Sequence, residues 1–289
     1  MNHYKTFSDI KDKAKEHLTG RFNSAAIANL LPSLFTSSVT FSISMLFTNI
    51  TTIILMLQYG DGAANIADIA GFTVISSILM YLVSQLVGAI MGVFNTGIAL
   101  YFLNISCGRK AKINHLFYGF QHIFKRSLTV STVSTLINTL CLLPYNVFLI
   151  LYQTNSSTTW LICTAVSLVL GGLIYLPISL SLSQCHFLLL DFPKYSGSEV
   201  IRLSMRIMKG KKLKLFLLQL SFLPLHILGL LSFGIGSLWV TPYTNMTMAL
   251  YFLDIMNPTS NTENLQYSAS VSKMLRCFTA FRAVKLGAF

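Results

Sequence analysis

Read from its amino end, the chain alternates long apolar blocks with short polar segments, and the blocks have the length of membrane spans. About 20 apolar residues cross a bilayer as a helix. On that measure the pattern predicts six spans. The first begins near Ser24, and the second covers about Gly71 to Leu103. The third runs from Ser127 to Tyr152, the fourth from Trp160 to Leu190, the fifth from Leu213 to Phe233 and the sixth from Ser237 to Leu253. The apolar stretch from Ser24 to Leu57 exceeds one upright span, so it must tilt, kink at Pro32 or continue past the bilayer. Between the last two spans, Gly234, Ile235 and Gly236 are left to turn the chain, a task that suits glycine's access to positive φ.

A second pattern precedes each odd-numbered span. Phe7, Ile10, Ala14 and Leu18 form an apolar stripe at helical spacing, with Gly20 placed to end the helix. Ile113, Leu116, Phe117, Phe120 and Phe124 form an aromatic stripe before span three. Before span five, Ser198 is placed to cap a helix with Glu199 in its first turn and Gly210 at its end. On that helix Arg202, Arg206 and Lys209 share one face, with Val200, Ile201, Met205 and Met208 over much of the remainder. Such helices lie in the membrane interface, apolar side in acyl chains and cations toward anionic headgroups. Their expected role is to anchor topology; lipid sensing or partner docking is the alternative.

Sequence identity adds a repeat. Ala99-Leu100-Tyr101-Phe102-Leu103 recurs 150 residues later as Ala249-Leu250-Tyr251-Phe252-Leu253, and at the same offset Asn95 matches Asn245 while Asn104 meets Asp254. Phe187-Leu188-Leu189-Leu190-Asp191 is a weaker third copy. The expectation is three units, each an interfacial helix followed by a transmembrane hairpin. The domains are then a cytoplasmic amphipathic helix over 1–22, a six-span domain over 23–253, and a basic tail over 254–289. In that tail Val271, Met274, Leu275 and Phe278 outline a fourth membrane-surface segment.

Composition agrees with a membrane bundle. Hydrophobic residues make up 53% of the chain and charged ones 10%, against about 25% charged in soluble domains. The formal charge of +12 raises nucleic-acid binding, but the basic residues do not gather on one soluble face with stacking aromatics. All 21 Lys and Arg fall in four clusters, Lys5 to Arg21, Arg109 to Arg126, Lys194 to Lys214 and Lys273 to Lys285. These flank one side of the predicted spans, which places both termini in the cytoplasm of a cell (inner or plasma) membrane whose inner leaflet is anionic. Trp160 and Trp239 sit at the opposite ends, where indole rings favour the interface. Three acidic residues in the first twenty (Asp9, Asp12, Glu16) argue against a cleavable signal. The five cysteines stand far apart without a CxxC, which fits neither a disulfide framework nor a metal site.

The search for chemistry finds no constellation. All nine acidic residues lie outside the spans, which argues against a proton-coupled carrier. His186 and His226 lie within spans, without an HExxH partner or a carboxylate one turn away; a histidine bonded to a neighbouring helix is the expected reading. No GxSxG nucleophile elbow occurs. Asn95, Asn245, Gln219 and His226 remain as candidate intramembrane polar residues, either hydrogen-bonding between helices or lining a polar path. Prolines at 32, 144, 177, 224 and 242 place a break in five spans.

The C-terminal half resembles a family of bacterial integral-membrane proteins known as domain of unknown function 975, found mainly in Gram-positive bacteria. The residues that carry the resemblance are Leu190-Asp191-x-Pro193, Glu199-Val200-Ile201-x-x-Ser204-x-x-x-Met208-Lys209-Gly210 and Leu215-Phe216. Gly234-Ile235-Gly236-x-Leu238-Trp239 and Pro242-Tyr243-x-Asn245 continue it, and Gly97-x-x-x-Tyr101 and Leu116-Phe117-x-Gly119-Phe120 are similar to the family's middle section. The resemblance covers about 92–253. Leu176-Pro177 stands where a Pro-Gly pair is expected, and the tail after Asp254 has no counterpart. The family implies a multi-pass membrane protein without an assigned activity. Together these readings favour a non-enzymatic membrane accessory or scaffold with no cofactor, meeting lipid and a protein partner through its cytoplasmic face. The alternatives are a transporter or channel for a small or amphipathic solute, with Asn95 and Asn245 on a shared cavity, and an immunity or envelope-stress factor that binds lipid or peptide.

Overall fold

The computed structural model describes residues 7–59, 66–155 and 157–256, and among them the regular structure is helical throughout. The predicted tail segment falls outside the described residues. The helices are α1 (Phe7–Leu18), α2 (Phe22–Tyr59), α3 (Ile66–Met91), α4 (Phe94–Ser106), α5 (Tyr118–His122), α6 (Phe124–Asn155) and α7 (Thr158–Leu182). They continue as α8 (Cys185–Asp191), α9 (Gly197–Ile207), α10 (Lys212–Leu220), α11 (Leu223–Leu231) and α12 (Ser237–Met256). A short 3-10 turn, Ile113–Phe117, leads into α5.

Five stretches are long and apolar enough to cross a bilayer: Phe22–Ile54, Val74–Ser106, Phe124–Gln153, Thr158–Asp191 and Lys212–Leu231. The sixth expected span forms as α12 but is not among them. Thr241, Tyr243, Thr244, Asn245 and Thr247 dilute its apolar content. The long first stretch is not interrupted at Pro32. α2 is one helix of 38 residues through Pro32, roughly 57 Å at 1.5 Å per residue.

Three other spans are broken. α3 gives way to α4 at Gly92-Val93, and α7 to α8 at Ser183-Gln184. α10 gives way to α11 at Ser221-Phe222, two residues before Pro224, which sits in the first turn of α11 where its missing N–H costs nothing. The Lys11 ammonium of α1 donates to the Ser221 carbonyl at the end of α10 (3.4 Å) and lies 4.5 Å from the centre of the Phe222 ring. Desolvation, and then Lys15, hold that ammonium below its ordinary pKa. The tight turn before α12 uses Gly234 at φ 83°, with Phe233 also at positive φ.

The buried and exposed residues divide the molecule into two regions. Side chains of the outer half of α2, of α3, of α6 and of most of α7 and α11 are widely exposed and apolar, as hydrocarbon-facing helices are. The packed core lies elsewhere, in α1, α4, α8, α9, α10 and α12. The three sequence segments Ala99–Leu103, Phe187–Asp191 and Ala249–Leu253 meet there. Tyr101, Leu188 and Tyr251 are at most 1% exposed. α4 packs on both α8 and α12, and the Phe187 ring stacks on Phe252 at 5.2 Å.

Around this core the amphipathic segments pack in a closed order. The 3-10 turn and α5 pack on α4, α9 packs on α8, and α1 packs on α12. Each therefore covers the helix that ends the preceding stretch, and the first covers the last. The apolar face of α1 and most of that of α9 are buried against the chain itself, with Ile10, Ala14, Leu18, Val200 and Met208 almost fully enclosed. In the aromatic segment Leu116 is enclosed while Ile113, Phe117 and Phe124 remain exposed, as does Met205 of α9, so the expected contact with acyl chains is left to those residues.

Two glycines let the aromatic segment cross α4 closely. A Cβ on Gly97 would lie 2.0 Å from the Leu116 carbonyl oxygen, and one on Gly119 would lie 2.7 Å from that of Val93. The two backbones approach too closely for a side chain at either position. The cap of α9 also differs from expectation. Ser196, and not Ser198, accepts from the Glu199 N–H, while the Glu199 carboxylate accepts from the Ser196 N–H at 2.7 Å. Gly197 lets the helix begin there, because a Cβ would sit 2.8 Å from the Thr129 side chain of α6.

Candidate functional site

A cavity of about 530 Å³ opens between α2, α4 and α12. Each wall contributes one helical face. From α2 come Asn29, Ser33 and Thr36 at i, i+4 and i+7; from α4 comes Asn95; from α12 come Thr241 and Asn245 at i and i+4. Leu30, Met91, Phe94, Ile98 and Leu238 supply an apolar part of the lining. Among the described residues, no charged side chain lines it.

The amides carry the site's directionality. Asn245 Nδ2 donates to Asn29 Oδ1 at 2.6 Å, and Asn29 Nδ2 donates to the Ala25 carbonyl at 2.9 Å. Asn245 keeps a second N–H and its own carbonyl oxygen beyond that bond. Asn95 is exposed to the cavity. The Thr36 hydroxyl donates to the Pro32 carbonyl at 2.8 Å and keeps its acceptor lone pairs. Both prolines on these walls lack an N–H. Pro242 cannot donate to the carbonyl of Leu238, a lining residue, and Pro32 cannot donate to that of Ala28. Freed backbone carbonyls of this kind occur in membrane helices where they border a cavity or find another donor.

The sequence placed Asn95 and Asn245 on a shared cavity, and both line this one. Gln219 on α10 and His226 on α11 are exposed on the outer surface and are not part of it. Asn29 was missed. Its signal was present, since it shares a helical face with Ser33 and Thr36 and lies one turn before Pro32.

A second polar group lies on the opposite side of α4. The Thr96 hydroxyl meets the Ser127 hydroxyl of α6 at 2.6 Å and the His186 Nδ1 of α8 at 2.9 Å. Thr96 and Ser127 are fully buried. His186 is therefore bonded to a neighbouring helix, as expected for a histidine in a span. Next to it the Arg126 guanidinium donates to the Phe192 carbonyl at 2.6 Å and caps the end of α8.

The basic face has a different setting. Arg202, Arg206 and Lys209 are exposed, while Val200, Leu203 and Ser204 on the other side of α9 are buried. Lys209 follows the last turn of the helix and does not belong to it. Ser204 fixes the buried side by donating to the Ser181 carbonyl at 2.6 Å. The backbone N–H and then the hydroxyl of Ser196 hold the Glu199 carboxyl below the usual carboxylate range, with a smaller contribution from Arg202.

Comparison with known proteins adds a family. The family model described as Protein of unknown function (DUF975) matches residues 1–259. The match extends the resemblance read over 92–253 to include the first three helices, α1 to α3. No curated protein and no solved structure matches the chain.

Proposed function

The chain belongs to the DUF975 family, and on that premise we propose that it is a non-enzymatic accessory or scaffold protein of the cell membrane. In this reading it has six spans in three hairpin units and both termini in the cytoplasm, and it docks a protein partner through Arg202, Arg206 and Lys209. The burial of the apolar side of α9 within the chain carries the docking role. A free interfacial helix sinks that side into acyl chains; here Val200, Ile201, Leu203 and Met208 are already buried, and what α9 offers outward is Met205 with the cationic residues. The closed packing order of the amphipathic segments supports the three units, and the clustered Lys and Arg support the orientation.

Purification from native membranes in mild detergent tests this. A stably associated protein should be lost from the R202Q/R206Q/K209Q variant while helicity and yield stay unchanged. Association that survives all three substitutions would remove the docking role. A reporter fused after Ser156 should read as external, and a cytoplasmic reading would sink the six-span topology.

The cavity favours a second reading, a carrier for a small or amphipathic solute, since Asn95 and Asn245 both face it. Saturable flux into liposomes, abolished by Asn95→Leu with Asn245→Leu, is its signature.

A further inference from the structure

We propose that the cavity between α2, α4 and α12 is a binding site for an uncharged single-chain amphiphile, a lipid of the monoacylglycerol or N-acyl amide class. Its head would be held by Asn29, Asn95 and Asn245, and its aliphatic chain would lie along Leu30, Phe94 and Ile98.

Four observations converge. Among the described residues the lining holds no charged side chain, so a phosphate or ammonium head would lose hydration without a counter-charge, at a large cost. Neutral amides and hydroxyls can match a hydroxyl or amide head bond for bond. Second, hydrogen-bonding capacity is left over. Asn245 engages one N–H with Asn29, which leaves a second N–H and a carbonyl oxygen on a residue that lines the same space as the exposed Asn95. Polar groups in such a place gain when a ligand satisfies them. Third, the apolar part of the lining gives an aliphatic chain a dry path beside the head. The volume of about 530 Å³ falls within the range of small-molecule sites. Fourth, α2 and α4 belong to stretches able to cross a bilayer, so the cavity lies among helices that a membrane-dissolved ligand would meet. The cavity is the one the carrier reading uses, but the claim concerns occupancy and stands whether or not a solute crosses.

The experiment uses the full chain in phosphatidylcholine nanodiscs. The neutral probes are a photoreactive monoacylglycerol and an N-acyl ethanolamide; the control is lysophosphatidic acid with the same photoreactive chain. Both neutral probes should label peptides of α2, α4 or α12 saturably, and unlabelled monoacylglycerol should compete. The anionic probe should label them no better than background. Asn95→Leu with Asn245→Leu should weaken neutral labelling about tenfold, the size of two lost hydrogen bonds. Met91→Trp, which fills the space and keeps every amide, should also abolish it; Gln219→Leu on the outer surface should leave it unchanged. Equal labelling by neutral and anionic probes overturns the proposal, as does labelling that survives both cavity variants. The probe comparison needs the wild-type chain alone, so it decides even where a variant fails to fold. Occupancy without flux removes the carrier reading and leaves this site; loss of occupancy leaves docking by α9 untouched.

Discussion

Two polar regions sit on either side of α4, one residue apart in sequence, and they have opposite character. Thr96 turns inward and closes a seam with Ser127 and His186, three groups within hydrogen-bonding distance and no space between them. Asn95 turns to the other side, where the nearest amides belong to α2 and α12 and the gap is about 530 Å³. Both regions use uncharged groups. A neutral polar side chain in an apolar helix joins helices where it meets a partner, as Thr96 does and as Asn245 does with Asn29, and offers a site where it faces open space, as Asn95 does.

That comparison can be broken most severely through α4 itself, the wall common to both. Gly97→Val places a Cβ 2.0 Å from the Leu116 carbonyl oxygen, a backbone atom that cannot move aside. A loss of about 4 kcal/mol or more is expected, seen as failure to recover monodisperse protein. Gly172→Ala, which meets nothing within 4 Å, should be neutral or stabilise by up to about 1 kcal/mol through helix propensity.

The next effect separates the two sides. Thr96→Val strands the Ser127 hydroxyl and His186, and should lower stability by about 1–2 kcal/mol in thermal unfolding. Asn95→Leu should change stability by no more than about 0.5 kcal/mol while reducing ligand occupancy. If the two substitutions cost the same, the contrast between closed seam and open cavity is wrong. Asn245→Leu falls between them, since it breaks the bond to Asn29 at a cost of about 1 kcal/mol.

The smallest effect lies outside both regions and serves as a control. Because hydrogen bonds hold the Glu199 carboxyl below its ordinary range, its contribution is present above the unfolded-state pKa and is lost as pH falls through the lower folded value. Amide protection over residues 196–200 should drop in that acidic window. Glu199→Gln should remove the pH dependence, with neither Thr96 nor Asn95 affected.

Much of the helical framework was legible in the sequence, because a span is announced by its length and apolarity alone. The start of α2, the end of α4 and the limits of α7 with α8 fall within a few residues of the predicted spans. The breaks were less legible. Pro224 marks the one between α10 and α11. The one at Gly92 lies where the chain passes close to Ser131 of α6, whose side chain a Cβ on Gly92 would meet at 2.8 Å, an approach no local pattern reveals. The cap of α9 shifted from Ser198 to Ser196 for the same reason, since Gly197 meets α6. The destination of the amphipathic stripes was illegible on physical grounds. Hydrocarbon chains and leucine side chains are equally apolar, so the spacing of Ile10, Ala14 and Leu18 says that a face is buried but not in what. For the site, the 150-residue offset brought Asn95 and Asn245 together, whereas Asn29 has no match in the repeat to draw attention to it.

The packing of α1 on α12 has a consequence for biogenesis. The partner of the first helix is the last described helix to leave the ribosome, more than 200 residues later in the sequence. Through much of synthesis the growing chain carries an amphipathic helix whose main partner has not yet been made, with only α4 and then the α10–α11 junction to meet it. Its chief contact forms only when α12 arrives and Tyr243 comes under the Lys15 ammonium, so a chain truncated before α12 is left with most of the opening helix's packing unmade.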